Sequence, residues 1–222
     1  MCEAYRSLRT ALLLSSADEL KVVAVTSAEP GEGKTATTCN MGVVFAQLGR
    51  RVLVLDADLR RPRMHKVFKI SNRLGVVNYL TGKVDIESLF IDTGVPNLYA
   101  CPSGPIPPNP SELLASDRMR EFLAAIRARF DFVLIDTPPA LPVADAVILG
   151  PLTDGLVICA RAGVLVRDDA KLCRERLRYA ELKIFGTVLN RYRTSPTGYN
   201  RRYQYYGVYE EKSEPSKTHN AA

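Results

Sequence analysis

A lysine and a threonine directly behind a glycine-rich turn, Gly31-Glu32-Gly33-Lys34-Thr35, are the residues of this sequence best placed to do chemistry. Glycines let backbone N–H groups turn inward onto phosphate oxygens. Lys34 can then reach the β- and γ-phosphates, and the Thr35 hydroxyl can ligate Mg²⁺. Ala36 leads on into a helix whose first N–H groups add to the anion site. The general pattern G-x-x-x-x-G-K-[ST] is met except at its first glycine, where Ala28 stands. A Gly-Lys-Thr triplet also occurs in ordinary strand-to-helix turns. Its flanks argue for more: a β-branched run, Val22 to Val25, comes before it, and Met41, Val44, Phe45 and Leu48 follow at helical spacing. The expectation is a site for a nucleoside triphosphate.

Two further strand ends carry carboxylates. Arg51-Val52-Leu53-Val54-Leu55 runs into Asp56-Ala57-Asp58-Leu59-Arg60, and Phe132-Val133-Leu134-Ile135 runs into Asp136. In an open α/β sheet ligands sit outside the carboxyl ends of strands, so both turns should face the phosphate loop. Paired carboxylates are costly beside phosphates unless a metal or a proton-accepting role needs them. The plainer alternative is that Asp58 caps a helix around Arg63 to Phe68. A hydrophobic strand ending in aspartate is also the Walker B arrangement, which puts Asp136 in the Mg²⁺ shell.

The elements that must position these residues alternate strand and helix. Further strands are expected over 155–160 and 184–190, with a helix over 168–181 between them. That order implies an α/β fold, a mostly parallel sheet with helices on both faces. Residues 71–101 read as short helices and one edge strand, 97–101. The five prolines between Pro102 and Pro110 make an irregular connector. Asn109-Pro110-Ser111-Glu112 then starts a helix, and a longer helix follows with an apolar stripe of Met119, Phe122, Leu123, Ile126 and Phe130.

At 222 residues, with 46% hydrophobic and 24% charged residues, the chain suits one globular domain with a full core. No apolar run approaches the roughly 20 residues that span a bilayer. Five scattered cysteines fit neither a disulfide framework nor a zinc site, which implies reduced thiols in a cytosol. The net charge of +6 is modest, and charge alone does not separate a solvated tail from a nucleic-acid or membrane partner.

Both ends of the chain carry patterns of their own. Residues 2–14 have helical spacing, with Glu3, Arg6 and Arg9 on one side and Tyr5, Leu8 and Leu12 on the other. The charged side is either a solvated face or a surface for a neighbouring subunit. From Arg191 onward apolar periodicity ends, so the division expected is a domain over 1–191 and a flexible tail over 192–222. Five of the ten tyrosines fall between Tyr199 and Tyr209. The stretch from Arg191 carries six Lys/Arg against three Asp/Glu. Each phosphate on a tyrosine would add about −1.5 to −2 charge, so phosphates on all five would turn the tail's net positive charge to roughly −4.5 to −7.

Together these stretches resemble the bacterial tyrosine kinases of capsule and exopolysaccharide synthesis over nearly the whole chain. SAEPGEGKTATTCN is similar to that family's Walker A loop, VLVLDADLRRP to its Walker A′ motif and VLIDTPP to its Walker B motif. Glu3-x-x-Arg6-x-x-Arg9 is similar to its oligomerisation motif, and PPNPSELLAS and the terminal tyrosines match as well. The resemblance implies a P-loop NTPase fold of the MinD/ParA-like class, with ATP and Mg²⁺ as cofactors. Gly31, Glu32, Gly33, Lys34, Thr35 and Ala36 would hold the phosphates, and Asn190 would lie on the adenine side. Thr35, Asp58 and Asp136 would position the metal. Lys34, Asp56, Asp58 and Arg60 form the implied catalytic set, with either Asp56 or Asp58 acting on the attacking phenol.

The acceptors would be Tyr199, Tyr203, Tyr205, Tyr206 and Tyr209 of a neighbouring subunit in a ring-shaped homo-oligomer joined through Glu3, Arg6 and Arg9. The family also implies a membrane adaptor of the polysaccharide co-polymerase type and a phosphotyrosine phosphatase as partners, and no nucleic acid. The expected location is cytoplasmic, recruited to or part of an inner-membrane assembly. The competing reading is a MinD/ParA-type ATPase switch without kinase activity. Those relatives carry a signature lysine five residues before the loop lysine, where this chain has Glu29.

Overall fold

The computed structural model describes residues 3–17 and 19–192. The compact unit that carries the fold ends at Asn190. Its elements are α1 (Glu3–Leu14), β1 (Val22–Ser27), α2 (Lys34–Ala46), β2 (Val52–Asp56), α3 (Met64–Phe68), α4 (Val76–Leu80), β3 (Ile91–Asp92), β4 (Leu98–Cys101), α5 (Pro110–Ala115), α6 (Asp117–Arg129), β5 (Phe132–Asp136), α7 (Asp145–Leu149), β6 (Gly155–Arg161), α8 (Arg167–Tyr179) and β7 (Ile184–Asn190). The seven strands form one sheet in the order β3-β4-β2-β5-β1-β6-β7. Every pairing is parallel except β3 with β4.

Every residue of β1, β2 and β5 is buried, as their unbroken apolar runs require of strands covered on both faces. Successive side chains alternate between two cores. Val22 and Ala24 pack with residues of α4 to α8, whereas Val23 and Val25 pack with α1, α2 and Met64 of α3. Close approach of α2 depends on Gly42, where an added Cβ would come within 2.6 Å of Val54 Cγ2. Three residues on, Phe45 stacks on Phe132 with ring centroids 3.9 Å apart. At the start of β1, the backbone N–H groups of Lys21 and Val22 donate to the Asp154 carboxylate at 2.7 and 2.8 Å, and Arg127 adds a third donor at 2.7 Å.

Three expectations need correction. The 97–101 strand is not the sheet edge, because β3 turns back antiparallel along it. Leu48 lies past the end of α2 and is exposed, so the core face of that helix stops at Ala46. The helix start at Pro110 and the longer helix after it are both present, and the Ser116 hydroxyl between them caps α6 by accepting from Met119 N–H. Asn109 precedes Pro110 as foreseen, but its side chain makes no capping hydrogen bond.

Candidate active site

The glycine-rich loop joins β1 to α2, and Gly33 stands at the helix start with φ +93°. That left-handed conformation favours glycine, and a Cβ there would also lie 2.7 Å from Asn190 Nδ2. Asn190, at the end of β7, donates through Nδ2 to the Glu32 carbonyl at 2.8 Å and to Thr37 Oγ1 at 3.1 Å. Its amide is spent on the loop. The Glu32 side chain is buried and accepts from Glu29 N–H at 2.8 Å and from Arg161 N–H at 3.3 Å. Ser27 Oγ donates to the Glu29 carbonyl. Gly31, at φ +85°, has open space where a Cβ would sit. Residues of β6 and β7 therefore fix the loop shape, so its N–H groups need not reorganise around an anion.

The register of the sheet brings the carboxylates together. Asp56 and Asp136 are direct partners on neighbouring strands β2 and β5, and Val25, just before the loop, pairs with Asp136 on the other side. Asp58 Oδ2 meets Lys34 Nζ at 2.9 Å in a nearly buried ion pair. Burial opposes the charge on Lys34, but Asp136, Asp58 and Asp56 outweigh it and hold the ammonium above its ordinary range. Asp136 is fully buried, and neither carboxylate oxygen has a hydrogen-bond partner. Burial pushes it up to about 6, against the pull of Lys34 and of the neighbouring Thr35 hydroxyl.

Asp56 behaves differently from its neighbour. It accepts from the N–H groups of Asp58, Arg63 and Met64 at 3.2, 3.1 and 3.0 Å. Burial and the facing Asp136 still push it up to about 8. The capping role weighed for Asp58 thus falls to Asp56, which closes the turn onto α3. Asp58 Oδ1 accepts from Arg61 N–H, so its other oxygen is the one that faces Lys34.

Arg60 forms a fork on Asp145, at 2.8 Å through Nε and 3.1 Å through Nη2. Ser111 joins both, accepting from Arg60 Nη2 and donating to Asp145 Oδ1 at 2.7 Å. Sequence reasoning gave neither Ser111 nor Asp145 a place in the site, since only the fold brings α5 and α7 beside the turn after β2. On α1, Arg6 pairs with Glu3 at 2.9 Å, but Arg9 Nη1 donates to the Val44 carbonyl of α2 at 2.6 Å. Arg9 therefore ties α1 to the domain, and the three charged residues are not equivalent. Tyr199, Tyr203, Tyr205, Tyr206 and Tyr209 lie outside the described residues.

The residues fit a magnesium–nucleotide pair. Among the described residues no three His, Cys, Asp or Glu side chains form a ready-made metal cage. Mg²⁺ needs none, because it takes one or two carboxylates and completes its shell with phosphates and water. The orphaned oxygens of Asp136 beside Thr35 supply that kind of donor.

A parallel sheet with a phosphate loop after β1 and aspartates closing β2 and β5 defines a P-loop NTPase. A family model described as an AAA domain matches residues 20–165. The chain is 41% identical to tyrosine-protein kinase YwqD of Bacillus subtilis, over 93% of this chain and 86% of that one. The solved kinase domain of Escherichia coli tyrosine kinase ETK superposes with a TM-score of 0.81 at 36% identity, covering 89% of this chain and 80% of that one. The septum site-determining protein MinD of Pyrococcus horikoshii, complexed with Mg-ADP, is more distant, with a TM-score of 0.66 at 25% identity over 79% and 72% of the two chains. The chain belongs to the family of bacterial tyrosine-protein kinases.

Proposed function

We propose that this protein is an ATP-dependent protein-tyrosine kinase that phosphorylates its own C-terminal tyrosine cluster in trans, within the machinery of capsular or exopolysaccharide synthesis. The observation that carries the reading is the Lys34–Asp58 contact at the mouth of the phosphate loop, in a chain whose relatives are named tyrosine-protein kinases. Lys34, the loop N–H groups and the start of α2 bind and orient the phosphates. A phenol has a pKa of about 10 and needs a base to attack at neutral pH. Asp58 is the acceptor for that proton, because its oxygen already faces the phosphate lysine, whereas Asp56 is engaged by three backbone N–H groups. Asp56 acts as a positioning residue. Arg60, held by Asp145, fixes the turn that presents Asp58. Thr35 and Asp136, with Asp58 at the edge, would hold Mg²⁺, which when bound neutralises charge on the transferring phosphoryl group. Asn190 supports the loop from β7 and would border the base.

Assembly follows the same reading. Glu3 and Arg6 would join subunits in a ring, with a membrane adaptor recruiting the complex to the inner membrane and a phosphatase resetting the tail. Among the described residues no helix is long and apolar enough to cross a membrane. The test is mass spectrometry of purified protein before and after ATP. Phosphates on Tyr199 to Tyr209, absent in Lys34→Met, are expected. Full activity in Lys34→Met would overturn the catalytic assignment, and ATP hydrolysis without phosphotyrosine would favour a MinD-type switch. For assembly, Glu3→Ala with Arg6→Ala should reduce the particle mass in light scattering. Arg9 is left intact there, because its loss would also detach α1 from Val44.

A further inference from the structure

A cavity of about 540 Å³ lies between α8 and the last two strands, with Ala28 at the end nearest the phosphate loop. Its volume falls within the roughly 300–1,000 Å³ of small-ligand sites. Ile158, Ala160, Leu165, Leu182 and Ile184 make an apolar floor, and no carboxylate lines it. Four cations do: Arg167, Lys171, Arg174 and Arg178. Their spacing of four, three and four residues puts them in one stripe along α8, about 16 Å long at 1.5 Å per residue. All four are exposed, while Cys173 and Leu177 of the same helix are buried.

The ion pairs of this stripe are weak. Lys171 meets Asp168 at 3.1 Å, Arg174 meets Glu175 at 2.9 Å and Arg178 reaches the same Glu175 only at 3.7 Å. Exposed pairs of this kind contribute little and exchange readily for a stronger anion. Arg167 has no ion-pair partner among the described residues. β7 is the outermost strand, without a ladder partner on its far side among the described residues, so an extended chain has open access to the groove.

We infer that this groove is a binding site for phosphotyrosine in a peptide segment, distinct from the nucleotide site. The inference rests on the kinase reading, because phosphotyrosine is the product that such an enzyme makes. Phosphotyrosine answers both halves of the lining. Its ring lies on the apolar floor, and its phosphate, at about −1.5 to −2 charge with three acceptor oxygens, takes the guanidiniums of Arg174 and Arg178. An aspartate or glutamate side chain brings one charge and no ring, and phosphoserine brings the charge without the ring. The function implied is recognition of the enzyme's own product, which would hold a phosphorylated chain beside the site that modified it.

The test is fluorescence anisotropy with a labelled synthetic peptide that bears one phosphotyrosine and no other charged side chain. Full-length protein is first treated with phosphatase, and saturating ADP occupies the phosphate loop. Binding at least tenfold tighter than for the tyrosine and phosphoserine twins is expected. Arg174→Ala with Arg178→Ala should weaken it at least tenfold and leave ADP affinity unchanged, since both side chains are exposed and remote from the fold's core. Equal binding of the twins, or an unaltered double variant, would overturn the inference. Stronger competition from single-stranded DNA or phosphatidylserine vesicles than from free phosphotyrosine would overturn it too, by assigning the stripe to another partner. The peptide arrives already phosphorylated, so loss of binding and loss of kinase activity are read separately.

Discussion

The strands β1, β2 and β5 differ sharply from the β7–α8 edge of the same sheet. In the first group every side chain is buried, and the chemistry-bearing aspartates sit at the ends of strands gripped on both faces. In the second, β7 is only partly covered and α8 buries just Cys173 and Leu177. A buried strand cannot shift by one residue without moving its whole apolar set to the wrong face. Asp56 and Asp136 are therefore held in register by the core itself, before any ligand arrives. Such rigidity suits phosphoryl transfer, where positioning and charge stabilisation do most of the work. The outer edge is free of that constraint, and it carries exposed cations in place of buried carboxylates.

Substitutions on the two sides should break or sharpen this contrast. Phe45→Ala removes the ring stacked on Phe132 and should cost about 3–5 kcal/mol, measured by denaturant unfolding. Asp136→Asn should lower phosphotransfer by at least about a hundredfold, as loss of a preorganised charge contact does. Its melting temperature in metal-free buffer should hold or rise, because a buried carboxylate with unsatisfied oxygens is replaced by a neutral amide. A large fall in melting temperature would mean that Asp136 serves the fold rather than the site.

Asp154→Asn tests the anchoring of β1. Two backbone N–H groups and Arg127 hold this carboxylate, and although burial opposes them its pKa lies below the ordinary value. A depressed pKa contributes stability above the unfolded value of about 3.9, lost as pH falls through the folded one. The variant should cost about 1–3 kcal/mol at neutral pH, and the gap to wild type should close on acidification. A gap that persists in acid would assign the loss to packing. On the outer edge, Leu172→Ala touches a side chain already 60% exposed and should stay within about 0.5 kcal/mol. A larger cost would show that α8 is covered in the folded protein.

Much of this was legible in the residues. The loop from Ala28 to Thr35, the strand-terminal aspartates, the bounds of β7 and the alternating order of elements follow from local pattern, because glycine torsions, apolar period and turn chemistry act over a few residues. The sequence alone also determined the class of ligand, since phosphate binding by a loop and a helix start needs only contiguous residues. It did not show which of Asp56 and Asp58 would face the loop lysine. That required α3 to fold back so that Arg63 and Met64 donate to Asp56, leaving Asp58 to Lys34. Nor could it show Asn190 bracing Glu32 from 158 residues away, Arg9 turned onto Val44, or Asp145 and Ser111 gripping Arg60. Each of these is a hydrogen bond between distant segments, and its partners are set by where the packed sheet and helices bring the chain, which local pattern does not encode.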